Sequence, residues 1–223
     1  MTSITAAGAD AATRGLRLLV YDATCAGAGW APGLSTAWRA GAALYRRLGR
    51  IDAARGVASW AEALEFLGSH EPDAAIEEVQ FWGHGRFGRV FVGKEPLGVG
   101  ELGAAAYADA LDTLATRLAR SRAPLVWLRT CEAFGGPSGH TFARALSRRL
   151  GCRVAGHTHV IGVVQSGLVS LAPGGEPRWP TSMGLGPLGE DGPGLASSPL
   201  EPNTVHFLTG RLPTALQGPP PET

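Results

Sequence analysis

The sequence predicts an α/β fold, a three-layer α/β/α sandwich built on a mostly parallel central sheet. Apolar runs of strand length alternate with segments whose apolar residues recur at helical spacing, and this is the pattern of consecutive βαβ units. Such units give a right-handed, doubly wound sheet. The chain has 223 residues, of which 44% are apolar and 17% charged, so it can bury one sizeable core.

The first half of the chain is predicted to begin with two βα units. The apolar run from Leu16 to Ala23 has the length of a strand. Ser35 can cap the following helix, because its side-chain oxygen can accept from the free N–H groups of the first turn. The segment from Arg50 to Val57 is a weaker second strand. Ser59 and Glu62 form a capping box that opens the next helix.

The remaining elements are predicted from the same periodicities. Gly151 follows an apolar stripe and closes the last helix as its C′ residue. In order, they are a strand from Glu78 to Trp82, a β excursion from Arg89 to Leu97, a helix striped by Tyr107, Leu111, Leu114 and Leu118, a strand from Pro124 to Thr130, a helix striped by Phe142, Leu146 and Leu150, and a strand from Arg153 to Gly162.

The predicted domain organisation is one domain over residues 16–210. Residues 1–15 are expected to form a flexible N-terminus and residues 211–223 a loose C-terminal tail. From Leu171 onward the chain carries 11 of its 16 prolines. Residues 172–210 are therefore expected to be Pro/Gly-rich loops wrapped on the core.

Composition excludes several classes of function. The formal net charge is +1, so no global field attracts nucleic acid or an anionic membrane. The three cysteines form neither a disulfide framework nor a C-x-x-C pair, which favours a reducing cytoplasm. The N-terminus lacks the apolar core of a signal peptide, and no apolar run is long enough to span a bilayer. We therefore expect a cytoplasmic protein that acts on neither nucleic acid nor membrane.

The segment from Val79 to Gly88, V-Q-F-W-G-H-G-R-F-G, contains G-x-G-x-x-G directly after a strand. A dinucleotide-binding turn must open a helix, since the pyrophosphate binds free N–H groups there. The following residues, R-V-F-V-G, favour a strand instead. Gly88 to Lys94 also fits G-x-x-x-x-G-K, but Glu95 replaces the Ser or Thr that a phosphate-binding loop requires. Nucleotide binding is not predicted.

His84 and Cys131 are the candidate catalytic residues. His84 lies between two glycines at the carboxyl end of one buried strand, and Cys131 follows the next buried strand. Ligands of open α/β sheets bind at these ends, so neighbouring strands would place imidazole and thiol in one crevice. The imidazole can then depress the thiol pKa and protonate the leaving group. Gly85 permits close approach to a substrate carbonyl, and the small residues from Gly135 to Gly139 keep the thiol accessible.

This arrangement resembles the caspase-like (clan CD) cysteine peptidases, in which a strand ending in His-Gly precedes by about 50 residues a strand ending in Cys. Here the step from 84 to 131 is 47 residues. Within that group, G-H-G-R followed by a β excursion is similar to the cysteine protease domain of large bacterial toxins. The run C-E-A-F-G-G-P-S-G-H-T-F-A-R-A-L-S-R-R-L-G-C-R-V-A-G is similar to that domain and to related bacterial caspase-like domains.

The resemblance implies a caspase-like fold and a dyad of His84 and Cys131. It also implies an oxyanion hole made by the N–H groups of Gly85 and Cys131. The chain departs from the family pattern after the cysteine, where Glu132-Ala133-Phe134 precedes the first glycine. Caspases and metacaspases place a glycine two or three residues after the cysteine.

Substrate-binding residues are predicted around the dyad. Arg129 lies two residues before Cys131 and therefore on the same strand face. The matching position of metacaspases is an acid that receives basic P1 side chains, so an arginine would suit an acidic P1 residue. Alternatively, Arg129 is neutralised internally by Asp22. Glu132, next to the nucleophile, and Trp179, in the Pro-rich region, complete the candidate set together with Asp22.

No metal and no cofactor are predicted. His157 and His159 could share a strand face, with Cys152 and His140 nearby in sequence, but a four-ligand zinc set is not evident. The predicted function is a cysteine endopeptidase that hydrolyses peptide or protein substrates through an acyl-enzyme. Two alternatives remain open: a catalytically silent module that binds a regulatory protein partner, and another thiol hydrolase or acyltransferase on the same dyad.

Overall fold

The computed structural model describes residues 14–28 and 31–217 of the chain. In chain order the strands are β1 Leu16–Asp22, β2 Gly27–Ala28, β3 Ala31–Pro32, β4 Ala53–Val57, β5 Ile76–Trp82, β6 His84–Arg86, β7 Arg89–Val92, β8 Glu95–Gly98, β9 Leu125–Arg129, β10 Arg153–His157, β11 Val164–Gln165, β12 Leu168–Leu171 and β13 Val205–His206. The helices are α1 Leu34–Arg47, α2 Trp60–Ser69, α3 Val99–Leu102, α4 Ala108–Ala119, α5 Gly136–Leu150 and α6 Thr214–Gln217, with a 3₁₀ turn at Ala105–Tyr107.

A six-stranded sheet in the order β12-β10-β9-β5-β1-β4 forms the centre of the fold. Five of its strands, β10, β9, β5, β1 and β4, are parallel, and β12 joins the edge antiparallel to β10. This confirms an α/β fold with a mostly parallel sheet. The inner strands are apolar on both faces because helices cover both.

Side-chain alternation along the strands builds two cores. On one face Leu18, Val20 and Phe81 pack with α2, α4 and α5 in the larger cluster. On the other face Leu19 and Trp82 pack with α1 in a smaller cluster. A third cluster joins β9, β10 and β12 to the C-terminal segment. The result is a three-layer arrangement in which one layer is completed by residues far along the chain.

Local signals explain most helix ends. The side-chain oxygen of Ser59 accepts from the N–H of Glu62 at 3.2 Å, as the capping box predicts, and Gly151 ends α5 with a φ of 61°. Ser35 does not cap α1 as predicted. The cap is Gly33, and the Ser35 hydroxyl instead donates to the backbone oxygen of Asp22 at 2.9 Å.

The structure differs from the sequence-based boundaries at two strands. β10 ends at His157 rather than at Gly162, because the chain leaves the sheet to approach the residues that follow β9. The antiparallel strand β12 was not predicted. It is only four residues long and follows the left-handed Gly167, which has a φ of 62°.

The chain beyond residue 210 is not a loose tail over its described part. Leu212 is 4% exposed in the third cluster, and the oxygen of Leu216 accepts from Arg153 at 3.4 Å. Residues 1–13 of the predicted N-terminus and 218–223 of the predicted tail lie outside the described residues. None of the helices within the described ranges combines the length and apolar character needed to cross a bilayer.

Candidate active site

The two predicted catalytic residues follow the carboxyl ends of two neighbouring strands of the sheet. β5 and β9 are parallel neighbours, and Trp82 is the register partner of Arg129. His84 and Cys131 each follow that pair by two residues and lie just beyond the ends of β5 and β9. The strand adjacency that the dyad prediction requires is therefore present.

Gly85 lies directly against the backbone of Cys131. A Cβ on Gly85 would be 2.3 Å from the carbonyl oxygen of Cys131 and 2.6 Å from Oγ1 of Thr130, which no larger residue could tolerate in this backbone. Thr130 is fully buried, and its Oγ1 has no hydrogen-bond partner among the described residues. The sequence predicts that Gly85 lies close to a substrate carbonyl, and in the structure the backbone that Gly85 contacts is that of Cys131.

Two N–H groups at this edge are available to a ligand. Arg86 and Arg89 pair across the two-residue turn of β6 and β7, so they form the hydrogen-bonded pair that closes the hairpin. Pairing alternates along the ladder, which turns the N–H of Gly85 away from β7. In the described part of the chain, no acceptor takes the N–H of Cys131.

The Cys131 thiol is half-buried and held by one neighbouring residue. The N–H of Ile161 donates to Sγ at 3.4 Å, and the thiol can donate to the oxygen of Ile161 at 3.8 Å. Burial raises the pKa of Cys131, the Ile161 N–H opposes this, and the charge of Glu132 adds to it. At neutral pH the sulfur is therefore a thiol that needs a base before it can act as a nucleophile.

His84 is exposed and packs edge-on against an aromatic ring. Its centroid lies 5.6 Å from that of Trp38 on α1, at an interplanar angle of 75°. Among the described residues, neither ring nitrogen of His84 forms a hydrogen bond. Within the same residues, the hydrogen bonds of Cys131 Sγ are made only with Ile161. In this arrangement the imidazole is positioned by an aromatic contact and is free to turn.

A segment that we call the strap, residues 184–198, runs beside the thiol. The N–H of Val160, next to Ile161, donates to the oxygen of Leu195, and the oxygen of Val160 accepts from the N–H of Ser197, both at 2.9 Å. Val160 and Ala196 form a parallel β-bridge. The strap thus adds a short extended stretch to the loop that holds the sulfur.

Glu132, next to Cys131, binds the strap. It is 5% exposed, and its carboxylate accepts from the N–H of Gly194. Its φ of 56° lies in the left-handed region that non-glycine residues rarely adopt. Such backbone strain concentrates at functional sites and switch regions. The predicted substrate-binding role of Glu132 is thus accompanied by a structural one.

Arg86 ties the strap to the histidine strand. It lies two residues after His84, and one guanidinium nitrogen donates to the oxygens of Glu190 and Gly192 at 3.2 and 3.0 Å. The Glu190 carboxylate accepts from the N–H and hydroxyl of Ser138 at the start of α5. The strap is therefore hydrogen-bonded both to Glu132, next to Cys131, and to Arg86, two residues after His84.

Arg129 is buried beneath the site, 3% exposed. Its guanidinium donates to Gln165 Oε1 and to the Tyr45 hydroxyl, both at 2.6 Å, and to the oxygens of Phe207 and Thr209 at 2.9 and 3.1 Å. The rings of Tyr45, Trp82, Trp127 and Phe207 surround it. An acidic P1 side chain would have to displace one of these partners to reach the guanidinium.

Asp22 and Trp179 occupy internal positions. The Asp22 carboxylate accepts from the N–H of Thr24 at 2.8 Å and the N–H of Gly93 at 3.0 Å, so within the described ranges it fixes two loops and does not neutralise Arg129. Trp179 is 8% exposed; its ring stacks on Phe134, and its N–H donates to the oxygen of Phe134 at 3.0 Å. The structure therefore places Trp179 in the core.

The candidate zinc residues are dispersed or buried. His157 is fully buried, and burial lowers its pKa to about 3. His159 lies 3.7 Å from Glu201. Over the described part of the chain, His, Cys, Asp and Glu side chains form no group of three or more that could hold a metal ion.

Sequence analysis assigned no role to Ile161, Arg86 or the strap. Ile161 was assigned to a strand interior, and no side-chain signal marks it because it contacts sulfur through its backbone. The motif G-H-G-R contains Arg86, but its partners are backbone oxygens about 100 residues away. No protein-family profile matches this chain, and no curated protein is detectably similar to it in sequence.

Proposed function

We propose that the protein is a cysteine endopeptidase with a His84/Cys131 dyad on a caspase-like fold. The observation that supports the proposal is the register of β5 and β9, in which Trp82 lies opposite Arg129, so that His84 and Cys131 follow the carboxyl ends of adjacent strands. The six-stranded, mostly parallel sheet with helices on both faces is compatible with that fold. A cytoplasmic location and a protein or peptide substrate belong to the same proposal.

In the proposed reaction, His84 takes the thiol proton as Sγ of Cys131 attacks the scissile carbonyl carbon. The N–H groups of Gly85 and Cys131 bind the developing oxyanion. His84 then gives the proton to the leaving amine as the C–N bond breaks, which leaves a thioester. Water, deprotonated by His84, attacks the thioester, and the carboxylic acid departs as the thiol is restored. No cofactor enters these steps.

The dyad must tighten before it can react. Catalytic hydrogen bonds are often long in ligand-free structures and shorten when substrate binds. The exposed His84 ring packs on Trp38, and its nitrogens form no hydrogen bond among the described residues, so the ring can rotate without breaking one. The N–H of Ile161 then remains to stabilise the thiolate.

The proposal does not assign an acidic P1 preference to Arg129. That guanidinium already donates to five protein oxygens, including those of Gln165 and Tyr45. Hydrogen bonds from a charged donor are costly to exchange in a buried site. P1 selection is instead expected from groups around the exposed edge.

A catalytically silent module that binds a protein partner is the second candidate. It is favoured by the raised pKa of Cys131 and by the two hydrogen bonds between its sulfur and Ile161. These features describe an inert buried cysteine as well as a resting nucleophile. A thiol hydrolase or acyltransferase on the same dyad shares the chemistry of the main proposal.

Labelling separates the first two candidates. The intact chain is treated with iodoacetamide or an acyloxymethylketone, and modification at each cysteine is measured by mass spectrometry. Cys25 is also half-buried, so the Cys25→Ser variant is the matched control for Cys131→Ser. We expect the acyloxymethylketone to label Cys131 and to require His84. Equal labelling of Cys131 in His84→Ala, or labelling at Cys25 alone, would support the silent module.

Hydrolysis identifies the reaction class. Peptides from a denatured proteome, together with matched ester and amide substrates, are incubated with the wild type and with Cys131→Ala. Peptide cleavage that depends on Cys131 supports the peptidase and gives the P1 preference. Turnover of esters or acyl transfer without peptide cleavage supports another thiol enzyme.

A further inference from the structure

A cavity of about 600 Å³ opens at the end of the sheet opposite to Cys131, where the parallel strands begin. It lies at the amino ends of β5, β9 and β10, where Glu78, Leu125 and Arg153 line it. Its volume is within the range of small-molecule sites, which is about 300 to 1,000 Å³. None of the residues assigned to the proposed peptidase chemistry lies in it, so it constitutes a separate feature of the molecule.

Glu78 places a nearly buried carboxylate in this cavity. The residue is 4% exposed, and one carboxylate oxygen accepts from the side-chain amide of Gln80 at 2.6 Å. Within the described residues, its other oxygen receives no hydrogen bond. That oxygen is not sealed from solvent, so it opens to the cavity, where a donor or cation can reach it. Burial raises the pKa of Glu78 to about 6, so the group is largely ionised at neutral pH.

Among the described residues, no charged side chain forms an ion pair with the Glu78 carboxylate. Arg211 and Arg129 lower its pKa through space, and Glu77 raises it. Arg211 is itself 3.4 Å from Glu77 in an exposed pair, and Arg129 is fully occupied by its own partners. Glu78 therefore offers the cavity a carboxylate oxygen that has no hydrogen-bond partner among the described residues.

The cavity walls add an apolar surface and a basic rim. Leu125 and Leu212 supply the apolar part, and Arg122, Arg153 and Arg211 supply positive charge. Arg153 donates to the Ser170 hydroxyl at 3.3 Å, whereas in the described part of the chain the Arg122 side chain forms no hydrogen bond or ion pair. Arginine pairs readily with carboxylates, so the rim favours an anionic group.

We infer that this cavity binds a small zwitterion whose ammonium group pairs with Glu78 and whose carboxylate lies among the rim arginines. An apolar chain between the two charges would pack against Leu125 and Leu212. The requirement for both charges distinguishes this ligand class from simple anions, which the rim alone would attract, and from simple amines.

The test uses three ω-amino acids as probes: 4-aminobutanoate, 6-aminohexanoate and 8-aminooctanoate. For each, the alkylamine and the alkanoate of the same chain length lack one of the two charges. Calorimetry on the full chain is expected to show millimolar or tighter binding of at least one zwitterion and weaker binding of its single-charge analogues. Amide chemical shifts are expected to change at Leu125, Cys152 and Leu212, which locates the site.

The Glu78→Gln variant keeps the shape of the side chain and an oxygen for Gln80, so far-UV circular dichroism should remain unchanged. We expect it to bind the zwitterion at least about tenfold more weakly. Glu65→Gln, which removes an exposed glutamate on α2, should bind as the wild type does. The inference is wrong if no zwitterion binds, if the alkanoate binds equally well, or if a correctly folded Glu78→Gln variant binds with unchanged affinity.

Discussion

Gly85 packs on the peptide of Cys131, and the contact is so close that a methyl group on Gly85 would sit 2.3 Å from the Cys131 carbonyl oxygen. One wall of the proposed oxyanion hole is therefore built against the nucleophile itself. The position of the sulfur and the position of the Gly85 N–H are set by the same contact. A change in either backbone moves the other.

Gly85→Ala is expected to disable the site. The added Cβ meets backbone rather than a flexible side chain, so Cys131 must shift, and misplacement of a reacting group by about 1 Å costs on the order of 100-fold in rate. Hydrolysis or acyloxymethylketone labelling measures the loss. Gly162→Ala is the control, because a Cβ there meets nothing within 4 Å; equal activity of the two variants would contradict the prediction.

Arg86→Ala is expected to speed labelling of Cys131. The substitution removes both hydrogen bonds from Arg86 to the strap, which loosens the cover beside the thiol. Arg89→Ala is the matched control, since Arg89 is an exposed neighbour on the same hairpin face. The measurement is the second-order rate with iodoacetamide at constant pH. If the strap does not limit access, Arg86→Ala and Arg89→Ala will react at the same rate.

Arg129→Met is expected to lower the free energy of unfolding by about 3 kcal/mol or more, because the Tyr45 hydroxyl, Gln165 and three backbone oxygens lose a charged donor in a buried site. Urea denaturation measures the effect. Arg148→Met, an exposed substitution on α5, should change stability by less than about 0.5 kcal/mol. At a temperature where Arg129→Met remains folded, its P1 preference should match the wild type; an altered preference would restore the specificity role.

His157 is expected to make the protein acid-sensitive. Burial lowers its folded pKa to about 3 from an ordinary 6.5, so the unfolded chain binds the proton more readily. The stability contributed by neutral His157 is present above pH 6.5 and is lost as the pH falls toward 3. Between pH 7 and pH 5 the loss is about 2 kcal/mol.

Urea denaturation of His157→Gln at these two pH values checks this prediction. The glutamine amide can still donate to the oxygen of Ser166, which the Nδ1 of His157 contacts at 3.1 Å. The variant should therefore lose less stability than the wild type over the interval. His206→Gln, an exposed control, should follow the wild-type profile. Parallel profiles for all three proteins would show that His157 does not titrate as proposed.

The sheet, and the strand ends that His84 and Cys131 follow, could be predicted from sequence because both depend on local patterns. Apolar runs and helical spacing define the strands and helices, and parallel strands end at one edge, so His84 and Cys131 follow from two strand ends. Ser35 shows the limit of such signals. The Ser35 hydroxyl donates to the backbone oxygen of Asp22 and therefore does not cap the helix.

The surroundings of the site could not be predicted, because their contacts are made mostly by backbone groups that every residue possesses. The strap reaches Val160 through N–H and C=O groups, and Ile161 holds the sulfur in the same way. The sequence locates Arg129 on its strand but does not reveal its partner Gln165, which is 36 residues away. No periodicity encodes which loop returns to cover a given strand end.

The oxygens of Phe207 and Thr209 that receive the Arg129 guanidinium come from beyond the last strand of the sheet. A shortened chain ending after Leu171 would contain every strand of the central six-stranded sheet, together with His84 and Cys131. It would nevertheless uncover the rings of Tyr45 and Trp82, which Phe207 packs against, and remove the three backbone oxygens that accept from Arg129. Fragment boundaries chosen from the sheet alone would therefore yield insoluble or misfolded material, and expression trials should retain the chain through Leu212.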